Sequence, residues 1–338
     1  MSASAAIYGC MGTELSPDER AFFRDAMPYG FILFARNCAA PDQIRRLCES
    51  LRDITGQSDT PILIDQEGGR VQRLRPPHWA ARPPARQFGN LFDANPDAAR
   101  QGAYLCSRLI ASELIALGIN VDCAPVLDVP VPGAHDVIGD RAFAEDPELV
   151  IELARASMEG FLDGGVLPVI KHVPGHGRAN ADSHLALPRV DASHAELSAR
   201  DFVTFRALNR APMAMTAHVV YEALDPKHPA TTSKKIIRDI IRGEIRFDGL
   251  LMSDDLSMSA LEGPLGTRTR DSLHAGCDVV LHCNGRMDEM REIAAEVIPL
   301  AGRALARAES ALAQLKCPLE FDVAAADMWL NNMIGAAA

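Results

Sequence analysis

The chain has 338 residues, 48% of them apolar and 23% charged, and its net charge is −11. That length suits about two domains or one α/β barrel, and the apolar fraction is ample for a core. The acid excess excludes nucleic acid as an expected partner, because such binding rests on clustered Lys and Arg.

Short apolar runs of strand type recur along the chain. They are Ala6–Cys10, Gly30–Phe34, Pro61–Asp65, Ile119–Ala124, Val166–Lys171, Met213–Ala217, Gly249–Ser253 and Cys277–Leu281. Amphipathic segments lie between them. Pro41-Asp42 opens one to Ile54, Asn95-Pro96-Asp97 one to Leu117, and Asp146-Pro147-Glu148 one to Asp163. Ser193, Ser233 and Arg268 precede three more, and Met287–Leu300 supplies another. Near-continuous apolar strands fit a parallel sheet buried on both faces. Eight such strands alternating with helices predict a (β/α)₈ TIM-type barrel, a single catalytic domain over residues 1–338. The doubly wound open sheet is the alternative, but no G-x-G-x-x-G follows the early strands. Arg75–Pro84, rich in Pro and Arg, reads as a long loop covering the site, and an Ala-rich helical tail is expected from about residue 300.

No run approaches the roughly 20 apolar residues that span a bilayer, so no membrane partner is expected. Residues 1–8 lack the basic and apolar regions of a secretory leader. The eight cysteines contain no CxxC pair and read as reduced thiols. The expected location is the cytoplasm.

The densest chemistry lies in Lys171-His172-Val-Pro-Gly-His176-Gly-Arg-Ala-Asn-Ala-Asp182-Ser183-His184. Two glycines and a proline bar a helix through its first half, which places these groups on a loop at a strand's end. Loops held by rigid strands tend to carry function. Barrel active sites gather at the C-terminal strand ends. Those ends read Asp65 with Gln66-Glu67-Gly-Gly-Arg70, then Asp122 and Asp128, Lys171-His172, His218, Asp254-Asp255, and His282 with Asn284. One pocket lined by all of them is the expectation. Neither the phosphate-binding Walker pattern nor G-x-S-x-G occurs. Two chemistries remain: glycoside cleavage through a carboxylate nucleophile and a separate proton donor, or metal-assisted hydrolysis on His172, His176, Asp182 and His184. Pro174 with Gly175 and Gly177 keeps His172 and His176 off one helix face, so no metal and no cofactor are expected. A sugar-binding module would need stacking aromatics, yet aromatics make up 5% of the chain.

These blocks resemble a known family. Lys-His-x-Pro-Gly-His-Gly with Asp-Ser-His, Asp-Gln-Glu-Gly-Gly-Arg upstream and Ser253-Asp-Asp-Leu-Ser-Met258 downstream are similar to glycoside hydrolase family 3, in particular its bacterial β-N-acetylglucosaminidases of peptidoglycan recycling. The likeness spans about residues 5 to 300 and includes Ala124–Asp128, Ile138–Arg141 and Ala217–Val219. It implies Asp254 as nucleophile, His184 as acid/base catalyst with Asp182 as its orienting partner, and Asp65, Arg73, Arg141, Lys171 and His172 as sugar-binding residues. Val173 departs from the family's usual Phe, and Thr216 from a frequent Pro. The implied activity is a retaining β-N-acetylhexosaminidase acting as a monomer on small carbohydrates, the muropeptide fragments. A β-glucosidase and a phosphorylase stand as rivals. A histidine suits the acid/base role because its ordinary pKa near 6.5 gives it both forms near neutrality.

Overall fold

The computed structural model describes residues 3–179, 181, 183 and 186–337 of the chain. Eight parallel strands form a closed barrel: β1 (Ser4–Gly9), β2 (Pro28–Leu33), β3 (Ile62–Ile64), β4 (Val121–Asp122), β5 (Leu167–Val173), β6 (Met213–Thr216), β7 (Leu250–Asp255) and β8 (Val279–His282). Each pairs with its sequence neighbour, and β1 closes the ring against β8 with Ile7 opposite Leu281. The eight anticipated strands are these eight, with ends shifted by a few residues. Only Val121 and Asp122 of the fourth run form regular strand, but Cys123 N–H still bonds the Ile64 carbonyl at 2.8 Å and the Ala124 carbonyl accepts Val169 N–H at 3.0 Å. Pro125 follows and has no N–H to give.

Side chains alternate across each strand, so two cores form. Ile7, Ile32, Leu63, Val121, Leu167, Val169, Met213, Met215, Leu250, Met252, Val279 and Leu281 fill the barrel interior. Their outward neighbours pack beneath the helices, for example Phe31, Ile64, Ile170 and Leu251. Met213 and Met215 belong to this inner core.

Pro at the first helical turn starts Pro41–Thr55, Pro96–Leu117 and Pro147–Asp163. The Asn95 side chain caps the second and the Asp146 side chain the third. Gly118, at φ +84°, ends the second in the left-handed region that glycine tolerates. The helix Pro17–Ala26 has no counterpart in the sequence reading. Its residues are mostly polar and only Phe23 and Glu19 bury, so the apolar period is faint, although Ser16 and Glu19 form a capping box. Leu265–Ala275 begins three residues before the Arg268 start read from the sequence, and Met287–Ala294 stops short of Leu300. The tail holds two helices, Gly302–Leu312 and Val323–Ala337, instead of one. The second packs on Pro96–Leu117 and reaches Asp327 to Arg82, which also pairs with Glu113. None of the described helices is long and apolar enough to cross a membrane. All eight cysteines are free thiols.

Candidate active site

The strand ends frame a pocket of about 150 Å³, roughly ten times the least volume that holds one water and so of sugar-ring scale. Asp65, Glu67, Arg73, Arg141, Lys171, His172, His176, Asp254 and Asp255 line it, with Phe34, Met215 and Met258 among the apolar walls. Six of the eight residues singled out from the sequence meet here: Asp65, Arg73, Arg141, Lys171, His172 and Asp254. The other two, Asp182 and His184, lie outside the described residues.

The strand phase decides which polar groups reach the pocket. On β5 the inward residues are Leu167, Val169 and then Lys171, and a register slip between Lys171 and Val173 lets His172 face the pocket as well. On β7 the inward series Leu250, Met252 ends on Asp254. The same phase overturns the expectation that every polar strand end lines one pocket. Asp122 follows inward Val121 and points outward, where its Oδ1 accepts the Gln66 N–H at 2.9 Å. His282 follows inward Leu281 and pairs outside with Glu289 at 2.9 Å, which also takes Asn284. Nor does the Arg75–Pro84 loop cover the site: none of its residues lines the pocket, and Arg75 through His78 are exposed while Trp79 packs on the outer core. Its prolines and the Arg82 ion pairs draw it outward to Glu113 and Asp327. Residues 137–141 line that side of the pocket instead.

Charges in the pocket are paired. Lys171, 2% exposed, donates to Asp65 at 2.9 Å and forms an ion pair with Glu67 at 2.6 Å. Arg73 holds the other Asp65 oxygen at 2.9 Å and lies over the Phe34 ring. Arg141 grips Glu67 with two parallel bonds of 2.9 Å. Burial alone would raise both carboxyls, but these cations hold Asp65 far below the usual range and Glu67 near 2. Burial likewise would lower Lys171, yet its two carboxylates keep it firmly protonated. Glu67 was expected at the pocket but not among the sugar-binding residues. Its signal was the adjacent glycine pair, which forms a tight hairpin: Gln66–Gly68 pairs with Val71–Gln72 and aims Glu67 and Arg73 inward. The buried Gln66 amide fixes the end of that hairpin by accepting from Arg73 and Leu74 N–H.

Asp254 is different. Among the described residues its side chain accepts only the Asp255 N–H, at 2.8 Å. Burial would raise this carboxyl, but the nearby His218, His172 and Lys171 hold it below the ordinary value, so it is ionised at neutral pH. Asp255 is spoken for: it accepts from Ser257 N–H and hydroxyl and from Cys283 N–H, tying β7 to β8. Beneath them the buried His218 bridges the Thr231 hydroxyl at 2.7 Å and the Asp255 carbonyl at 3.0 Å. A carbonyl only accepts, so Nε2 carries the hydrogen and Nδ1 accepts from Thr231. Thr216, the departure from a frequent Pro, supports Thr231 at 2.8 Å.

The loop beyond β5 is firmly seated at its start. Gly177 touches Val129 so closely that a Cβ would lie 2.1 Å from its carbonyl oxygen. Arg178 pairs with the buried Asp201 at 2.7 Å. His176 is buried, and burial with the neighbouring His172 lowers it to about 4, so it is neutral.

A family model described as "Glycosyl hydrolase family 3 N terminal domain" matches residues 13–312. The chain belongs to glycosyl hydrolase family 3. Within it, a protein named Beta-hexosaminidase from Alkalilimnicola ehrlichii is 43% identical over 280 residues, covering 82% of this chain and 79% of that one. Another so named, from Pseudomonas aeruginosa, is 40% identical over 287 residues, at 84% and 83% coverage. The crystal structure of NagZ from Neisseria gonorrhoeae in complex with N-trifluoroacetyl-D-glucosamine superposes with a TM-score of 0.89 at 33% identity, covering 99% of each chain. The family assignment and the barrel therefore agree with the sequence reading.

Proposed function

We propose that this protein is a retaining exo-β-N-acetylglucosaminidase, a β-N-acetylhexosaminidase that removes terminal β-linked N-acetylglucosamine from peptidoglycan fragments such as GlcNAc-anhydroMurNAc and its peptides. The observation that carries the reading is the contrast inside the pocket: Asp65 and Glu67 are saturated by cations, whereas Asp254 is ionised with a single described bond. A glycosyl-enzyme route needs such a carboxylate to attack the anomeric carbon, while a second group protonates the leaving oxygen. His184 takes that second role, with Asp182 fixing its tautomer and supporting its charged form. After the glycosyl-enzyme forms, the same histidine takes a proton from water as it attacks.

Asp65, Arg73, Arg141, Lys171 and His172 hold the sugar hydroxyls. Because the cations among them are matched by carboxylates, the pocket suits a neutral sugar better than an incoming phosphate. The acetamido preference rests on the relatives named Beta-hexosaminidase and on the N-acylated glucosamine of the matched NagZ complex. Eight free thiols suit a reducing, cytoplasmic compartment, and a monomer with neither metal nor cofactor is carried forward from the sequence expectation.

The test is hydrolysis of paired aryl β-glycosides, an N-acetylglucosaminide and a glucoside, with and without phosphate, alongside Asp254→Ala. The expected result is cleavage of the N-acetyl sugar alone, lost in the folded variant. Glucoside preference makes the protein a β-glucosidase; a sugar 1-phosphate product makes it a phosphorylase. Normal turnover by Asp254→Ala removes the nucleophile assignment.

A further inference from the structure

A single carboxylate connects the sugar-facing wall of the pocket to the loop beyond β5. Asp128 does not line the pocket; it is fully buried behind His172. Its Oδ1 accepts the backbone N–H of His172 at 3.2 Å and of His176 at 2.6 Å. Its Oδ2 lies 2.7 Å from His172 Nδ1. Burial alone would raise this carboxyl, but His172 and His176 hold it below the ordinary value, and an ionised carboxylate only accepts. His172 Nδ1 must therefore carry a hydrogen. Nε2, across the ring, has no partner among the described residues, and His172 lines the pocket.

We propose that Asp128 is a positioning residue: it locks His172 in the Nδ1–H tautomer, so that Nε2 accepts from a sugar hydroxyl, and it pins the start of the loop that leads to residue 184. The inference rests on the glycosidase reading above and deepens it. Lys171 next door can only donate, and its ammonium is already held by a hydrogen bond to Asp65 and an ion pair with Glu67. An accepting His172 supplies what the lysine cannot, since a sugar hydroxyl both gives and takes a hydrogen bond. The shared anchor also means that His172 and the base of the loop shift together, because the same oxygen holds both backbones.

Asp128→Asn keeps the shape and reverses one contact. The amide oxygen still receives the backbone N–H groups, while the amide nitrogen donates to His172 Nδ1 and forces the hydrogen onto Nε2. Nitrogen-15 NMR of the full chain, with His172 assigned through His172→Gln, reads the tautomer directly. The wild type is expected to show a protonated Nδ1 and the variant an unprotonated one. For an aryl N-acetylglucosaminide, kcat/KM is expected to fall about 10- to 100-fold, the size of one charge-assisted bond, with KM rising. Once Asp128 is Asn, adding His172→Gln should cost little more, whereas alone it costs nearly the full loss. Additive losses overturn the proposal, as does a wild-type His172 whose neutral form carries its hydrogen on Nε2. That second measurement needs no variant to fold. If the wild type cleaves no N-acetylglucosaminide, the functional reading fails while the tautomer still tests the clamp.

Discussion

Replacing Glu67 with Gln probes how much the ion network contributes to the fold and the pocket. The Glu67 side chain is 6% exposed, accepts two charge-assisted bonds of 2.9 Å from Arg141, and lies 2.6 Å from the Lys171 ammonium. The amide oxygen can keep the place of Oε1, which faces Lys171 and one Arg141 nitrogen, while the amide nitrogen sets a donor against the other. Losing one bond of about 1.5–3 kcal/mol, together with the charge that faces two cations, gives a destabilisation of about 3 kcal/mol. The protonation equilibrium gives the same size. Glu67 is held near 2 against an ordinary 4.5, and at about 1.36 kcal/mol per pH unit this too is about 3 kcal/mol. For a chain of this length the melting temperature should fall by about 4 °C at pH 7, read by calorimetry. The folded-state value is depressed, so this contribution is complete above 4.5 and fades as pH falls toward 2. The difference between variant and wild type should therefore shrink to less than half by about pH 3. In parallel, kcat/KM should fall at least about tenfold, through Lys171 and Arg141 losing their alignment. A melting shift below about 2 °C, or one that is the same at both pH values, refutes the reasoning.

Asp122 makes the opposite case. Burial pushes its carboxyl up to about 8, and Oδ2 has no bond among the described residues. A raised carboxyl favours folding below its ordinary 3.8 and loses that stability as pH rises through 8. Asp122→Asn retains the acceptor for Gln66 N–H and should raise the melting temperature at pH 8 while changing little at pH 4; equal shifts at both contradict the assignment. Asp327→Ala leaves Arg82 with Glu113 alone, and because Asp327 is 39% exposed the expected cost is modest, about 1 kcal/mol, with activity kept. Lost activity in a stable Asp327→Ala would show that the terminal helix acts on the pocket. Hydrolysis should survive exhaustive chelation; loss reversed by a divalent cation would return the metal reading.

The sequence by itself determined the barrel and most of the polar residues that line its pocket. Eight apolar runs with helix caps between them leave few ways to bury both sheet faces, and that is why the strand count and order were legible. Strand ends marked Asp65, Lys171, His172 and Asp254, whereas Arg73 and Arg141 entered only through the resemblance to glycoside hydrolase family 3. The helix Pro17–Ala26 was missed although Ser16 and Glu19 form a capping box, because it is short and buries only Glu19 and Phe23. What only the tertiary structure decided was which polar group faces inward. A one-residue change of phase sends a side chain to the opposite side of the sheet, so Asp122 and His282 left the pocket although they end strands as Asp254 does. Pairing was also a matter of three dimensions: Glu67 meets Arg141 across 74 residues, and Asp128 meets His172 across 44. Local pattern cannot encode such contacts. They arise when closing the barrel brings distant strand ends to one rim, where burial compels each charge to find its partner.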